Sequence, residues 1–132
     1  MAIKSYKILL VDDDKAFLAM IKDVLRSMYG HLTIETARSG RECLQKVKSF
    51  SPNLVFLDIG MDGMNGLVTL RFIKSMDEKT LVFFLSGHSA KDIKEAVAMV
   101  PVDGFFTKTQ FLTILKGKQT IDEVLNEGRT KT

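Results

Sequence analysis

The sequence predicts an α/β fold, with five strands alternating with helices around a parallel sheet covered on both faces. Three observations carry that prediction. Short apolar runs alternate with segments whose apolar residues recur at helical spacing, a (βα)5 pattern. The runs at 54–57 (LVFL) and 81–85 (LVFFL) are continuously apolar and rich in Val and Phe, as strands buried on both faces are. The runs also end on chemistry-bearing residues: Asp12 and Asp13 after the first, Asp58 after the third, Ser86 after the fourth and Lys108 after the fifth.

Taken in order, residues 7–11 (KILLV) read as a buried strand that stops at Asp12, Asp13 and Asp14, and Asp14 is placed to cap the helix that follows. That helix carries Phe17, Leu18, Ile21, Val24, Leu25 and Met28 on one face and is expected to end at Gly30. Residues 31–36 alternate Leu32 and Ile34 with polar neighbours, the pattern of a half-exposed edge strand. Ser39 with Glu42 forms a capping box for a helix through Leu44, Val47 and Phe50, closed by Pro52. After Asp58 a loop holding Gly60, Gly63 and Gly66 leads into a helix marked by Leu67, Leu70, Phe72 and Ile73. Ser89 and Asp92 open a further helix with Ile93, Ala96, Val97 and Val100, which Pro101 stops. Residues 102–107 give the last strand, 111–115 are apolar without a clear period, and Thr120 with Glu123 caps a terminal helix through Ile121, Val124 and Leu125, with Gly128 after it.

Composition limits the function classes. A chain of 132 residues, 45% hydrophobic and 27% charged, fits one globular domain with a real core. No apolar run approaches the roughly 20 residues that span a bilayer, and the N-terminal stretch meets acid too soon for a signal peptide. Cys43 is the only cysteine, which points to packing and a reducing cytoplasm. The net charge of +3 comes from scattered lysines without interleaved aromatics, a solvated face rather than a nucleic-acid site. His31 and His88 lack any Cys/His ligand spacing, which argues against zinc.

In a parallel sheet all strand carboxyl ends share one edge, where open α/β sheets place their ligands. Asp58 alone could simply open a turn. Three carboxylates, a hydroxyl and an ammonium at one rim are harder to explain as independent turns. Clustered carboxylates repel unless one is protonated or a cation neutralises them. An oxygen-only set of two or three acids suits Mg²⁺ better than Zn²⁺. Asp58 can then act as a nucleophile toward a phosphoryl group, with Lys108 pairing one phosphoryl oxygen and the Ser86 hydroxyl another.

At these residues the chain resembles the receiver domain of two-component response regulators, over residues 7–108, with the terminal helix fitting less closely. The resemblance implies a doubly wound, flavodoxin-like sheet of order 2-1-3-4-5. It implies that Asp58 accepts a phosphoryl group from a histidine kinase or phosphotransfer protein. Asp12, Asp13, Asp58 and the Gly60 carbonyl would hold Mg²⁺, and Phe105 would be the aromatic that follows movement of Ser86. Gly60 and His88 fall at positions that tune phosphoryl lifetime, so His88→Ala is expected to shorten the aspartyl-phosphate lifetime by removing a shield. An unchanged or longer lifetime would count against shielding. Such a module catalyses only its own phosphotransfer and autodephosphorylation, in the cytoplasm, without membrane or nucleic acid as direct partner.

Several positions depart from the family pattern. Met61 is followed by Asp62 where proline is frequent, Asn65 replaces an Asp, and Phe105 lacks a tyrosine hydroxyl. Thr109 stands where a proline usually follows the lysine. A cis bond before Thr would cost about 2.5–4 kcal/mol, so a trans Lys108–Thr109 bond is expected. A regular helix is then expected only near Thr120, making 109–132 an atypical tail and affecting partner choice or homodimerisation.

Two other readings compete. Asp12-Asp13-Asp14 contains the Asp-x-Asp of haloacid-dehalogenase-type phosphatases, with Asp12 as nucleophile. Against it, Lys15-Ala16 stands where Gly-Thr is usual, the chain is short, and Asp58 would have no role. The other is a receiver-shaped interaction module that never uses its acids.

Overall fold

Alternation along the strands sorts the apolar side chains into two layers. In the computed structural model, which describes residues 5–87, 97–98 and 100–129, β1 (Ser5–Val11) sends Ile8 and Leu10 to one face and Leu9 and Val11 to the other. β3 (Leu54–Asp58) and β4 (Leu81–Ser86) repeat the division, with Phe56, Phe83 and Leu85 on the first face and Val55, Leu57, Val82 and Phe84 on the second. With β2 (His31–Ala37) and β5 (Gly104–Thr107) they form a parallel five-stranded sheet of order β2-β1-β3-β4-β5. This is the expected order, and half-exposed β2 lies at an edge as its alternation predicts. β5 is shorter than expected. After Pro101 the Val102 N–H turns back to the Val100 carbonyl at 2.8 Å, which takes it out of the ladder.

Helices α1 (Lys15–Arg26), α4 (Lys108–Gly117) and α5 (Ile121–Gly128) cover the first face; α2 (Gly40–Phe50) and α3 (Gly66–Met76) cover the second. Asp14, Ser39 and Thr120 cap α1, α2 and α5 as expected, each carboxylate or hydroxyl accepting from a first-turn N–H. α1 ends at Arg26, before Gly30, and Gly30 instead takes the positive φ of 114° that turns the chain into β2. Phe72, marked for its apolar character, is 51% exposed, because Leu70 and Ile73 fill the buried face of α3. Of the helix expected between Ser89 and Val100, Ser89, Asp92, Ile93 and Ala96 lie outside the described residues; Val97 is buried. Among the described residues no helix is long and apolar enough to cross a membrane.

The delay expected after the fifth strand does not occur. α4 starts at Lys108 itself because Thr107 caps it. The Gln110 N–H donates to Thr107 Oγ1 at 3.1 Å, and the Thr107 N–H donates to Gln110 Oε1 at 3.2 Å. This reciprocal pair is a Thr-x-x-Gln capping box, which begins one residue before the lysine. The Lys108–Thr109 bond is trans, as expected. Residues 111–115, ambiguous in sequence, place Phe111 and Leu115 in the core.

α5 then crosses the end of the sheet opposite the strand carboxyl termini. The Tyr29 N–H donates to the Gln119 carbonyl at 2.8 Å, the Tyr6 hydroxyl donates to Asp122, and Arg129 bridges Gly104 antiparallel. Burial, and then the Asp122 carboxylate, push the Tyr6 phenol up to about 12. A Cβ on Gly104 would stand 2.0 Å from the Gly128 carbonyl oxygen and 2.5 Å from Phe83 Cε2. Only a residue without a side chain lets the end of α5 close on β5. Gly104→Ala is therefore expected to cost about 1–3 kcal/mol through overpacking. The measurement is the urea midpoint, and an unchanged midpoint would show that the seam yields freely.

Candidate functional site

Parallel register carries the strand ends to one rim. Val11 pairs with Leu57, Asp58 with Leu85 and Ser86 with Thr107. Asp12, Asp58 and Ser86 are buried, at 1%, 4% and 1% exposure, whereas Asp13 is exposed. Carboxylate oxygens of Asp12, Asp13 and Asp58 lie within 4.8 Å of one another. Lys108, the first residue of α4, reaches back so that its Nζ stands 2.7 Å from Asp12 Oδ2 and 3.1 Å from Asp58 Oδ2. The sequence-predicted residues Asp12, Asp13, Asp58 and Lys108 thus meet, with Ser86 on the adjacent strand end.

Burial pushes the Asp12 carboxyl above its usual range, and the nearby Asp58 charge adds to this; Lys108 and the Asp14 N–H pull the other way without winning. For Lys108, burial pulls downward, but the two carboxylates outweigh it and hold the ammonium above its ordinary value. The buried Asp12 Oδ2 therefore rests against the Lys108 ammonium at 2.7 Å. Three carboxylates offering oxygens within 4.8 Å of one another are the donor set a hard divalent cation takes. The residues present fit Mg²⁺.

The loop after β3 is built around Asp58. Its Oδ1 accepts from the Gly60 N–H at 2.9 Å, and Gly63 makes the turn with φ of 73°. A Cβ on Gly60 would sit 3.3 Å from Asp58 Oδ1, so any side chain there would press on the carboxylate. Met61 is buried and Met64 packs on the core edge, as loop anchors would. Phe105 is half-buried on the second face, registered with Phe84 two residues before Ser86. His88 lies outside the described residues. Cys43 is fully buried, and burial pushes its thiol up to about 12, which suits packing.

Two neighbours were not visible in the sequence. The Phe17 ring centroid lies 4.8 Å from Lys108 Nζ, and the Arg38 guanidinium donates to the Asp13 carbonyl at 3.4 Å. Phe17 reads as an ordinary apolar position of a helix, and Arg38 as a loop charge. Only the packing of α1 against α4, and of β2 beside β1, brings them to the rim.

The comparisons with known proteins agree with this geometry. The protein-glutamate methylesterase/protein-glutamine glutaminase of Caldanaerobacter subterraneus subsp. tengcongensis is 33% identical over 128 residues, which is 96% of this chain and 35% of that protein. The chain therefore spans about a third of that relative's length. The chemotaxis protein CheY of Bacillus subtilis is 35% identical over 82 residues, 62% of this chain and 68% of that protein. The crystal structure of the phosphorylated cyanobacterial phytochrome response regulator RcpA superposes with a TM-score of 0.72 at 25% identity, covering 86% of this chain and 91% of that one. The response regulator receiver domain model matches residues 8–118, which include every residue of the acidic rim, and the chain belongs to that family.

Proposed function

We propose that Asp58 is the phosphoacceptor of this receiver, fed by a histidine kinase or phosphotransfer protein, with residues 1–132 acting as one receiver domain in the cytoplasm. The observation that carries the reading is the pairing of a buried Asp58 with Lys108 at 3.1 Å, beside buried Asp12, which shares the same ammonium. Asp12, Asp13, Asp58 and the Gly60 carbonyl would hold Mg²⁺, which when bound offsets the charge of the incoming phosphoryl oxygens. An Asp58 carboxylate oxygen attacks phosphorus, the bond from phosphorus to the donor's imidazole nitrogen breaks, and the imidazole keeps the electron pair and takes up a proton. Lys108 releases Asp58 and pairs with a phosphoryl oxygen, and Ser86 hydrogen-bonds another. Phe105 would relay the change by packing, since it has no hydroxyl, while Gly60 and His88 would set how fast water removes the phosphoryl group.

The phosphatase reading is disfavoured by Asp14. Its carboxylate accepts from the Ala16 and Phe17 N–H groups at 3.0 and 3.1 Å as the cap of α1, so it is not poised as the second acid of an Asp-x-Asp pair. The test is incubation with Mg²⁺ and a small phosphodonor, followed by intact mass and location of the label. One phosphoryl group on Asp58 is expected; a label on Asp12 would favour the phosphatase, and no label would favour the inert interaction module.

A further inference from the structure

We infer that Phe17 is a positioning residue for phosphoryl transfer at Asp58, its ring holding the Lys108 ammonium over the carboxylates from which it must reach a phosphoryl oxygen. The inference rests on the phosphoacceptor reading above. A lysine ammonium is a compact charge on a flexible stem, and by itself it samples many positions. Here the side chain is 26% exposed, so solvent is available to it, yet Nζ stands 2.7 and 3.1 Å from two buried carboxylates. An aromatic ring stands over the same ammonium, with the Phe17 centroid 4.8 Å away. The negative face of a ring attracts a cation, and the more strongly where water is scarce; Phe17 is only 8% exposed.

The ring is itself held by the acids it serves. The Asp14 N–H donates to Asp12 Oδ1 at 3.0 Å, and Asp14 Oδ1 accepts from the Phe17 N–H at 3.1 Å. Phe17 then faces Lys108, and Lys108 returns to Asp12 Oδ2. The contacts close into a ring running Asp12, Asp14, Phe17, Lys108 and back to Asp12. An aliphatic residue could fill the same space but has no π face to offer the ammonium.

The discriminating variants are therefore Phe17→Leu and Phe17→Tyr. With saturating Mg²⁺ and a small phosphodonor, Phe17→Leu is expected to slow labelling of Asp58 by about three- to thirty-fold. Its Mg²⁺ affinity should be unchanged, and Phe17→Tyr should label at the wild-type rate. In the wild-type protein, with lysine isotopically labelled, the Lys108 Hε protons are expected upfield of the other lysines from the ring current. Wild-type labelling rates in Phe17→Leu, or a Phe17→Tyr as slow as Phe17→Leu, would overturn the inference. So would a wild-type Lys108 without the upfield shift, a readout that needs no variant to fold. A wild-type protein that takes no label would overturn the Asp58 reading itself, and this inference with it.

Discussion

Asp58→Asn is expected to remove phosphoryl labelling altogether. The substitution keeps the shape of the side chain and its place at the end of β3, but the amide oxygen is a poor nucleophile and lacks the charge that draws Lys108 to 3.1 Å. The fold should survive, because the change also removes the buried Asp58 charge that repels buried Asp12. Asp13→Ala should behave differently. Asp13 is exposed and has no part in the Lys108 pairing, so its loss is expected to weaken Mg²⁺ binding while labelling recovers at raised Mg²⁺. Isothermal titration with Mg²⁺ and intact mass after phosphodonor treatment separate the two effects. Robust labelling of Asp58→Asn would sink the assignment.

Phe111→Ala is expected to cost about 3–5 kcal/mol of folding stability, the usual range for removing a fully buried aromatic side chain. Phe111 is 0% exposed, and its ring lies 4.7 Å from that of Phe56 and 5.0 Å from that of Phe106. These rings join α4 to β3 and β5, so little nearby backbone can collapse into the gap. Against a total stability of about 5–15 kcal/mol, the loss is large enough to leave a marginal protein. Urea denaturation followed by circular dichroism measures it, and a loss below about 1 kcal/mol would mean the cavity closes by relaxation.

What could be read in the sequence follows from distance along the chain. The strands at 54–57 and 81–85 announce themselves because burial on both faces demands continuous apolar residues, and their ends then locate Asp58 and Ser86. Asp12 and Lys108 follow from the same logic. The cap on α4 was missed although it is local, because Thr107 serves both as the last residue of β5 and as the cap of the next element. The outward direction of Phe72 was not readable, since Leu70, Phe72 and Ile73 are equally apolar and only tertiary packing chooses among them. Asp103 was illegible for a third reason. Its carboxylate accepts from the Val82 N–H at 2.7 Å and pairs with Lys74 at 2.8 Å, partners set by the approach of three separate elements.

The path of α5 has a consequence for how the molecule reaches its native state. The Tyr6–Asp122 hydrogen bond joins residues 116 positions apart, nearly the whole length of the described chain. Loop-closure entropy is unfavourable until such distant contacts form, so they tend to arrive late and slow the overall rate. During vectorial synthesis β1 emerges before the other four strands, yet its starting end stays uncovered until Ile121, Val124 and Leu125 leave the ribosome. A nascent chain halted near Gly117 would hold all the acids of the rim and all five strands, but would lack the cross-strap that seals the opposite end of the sheet.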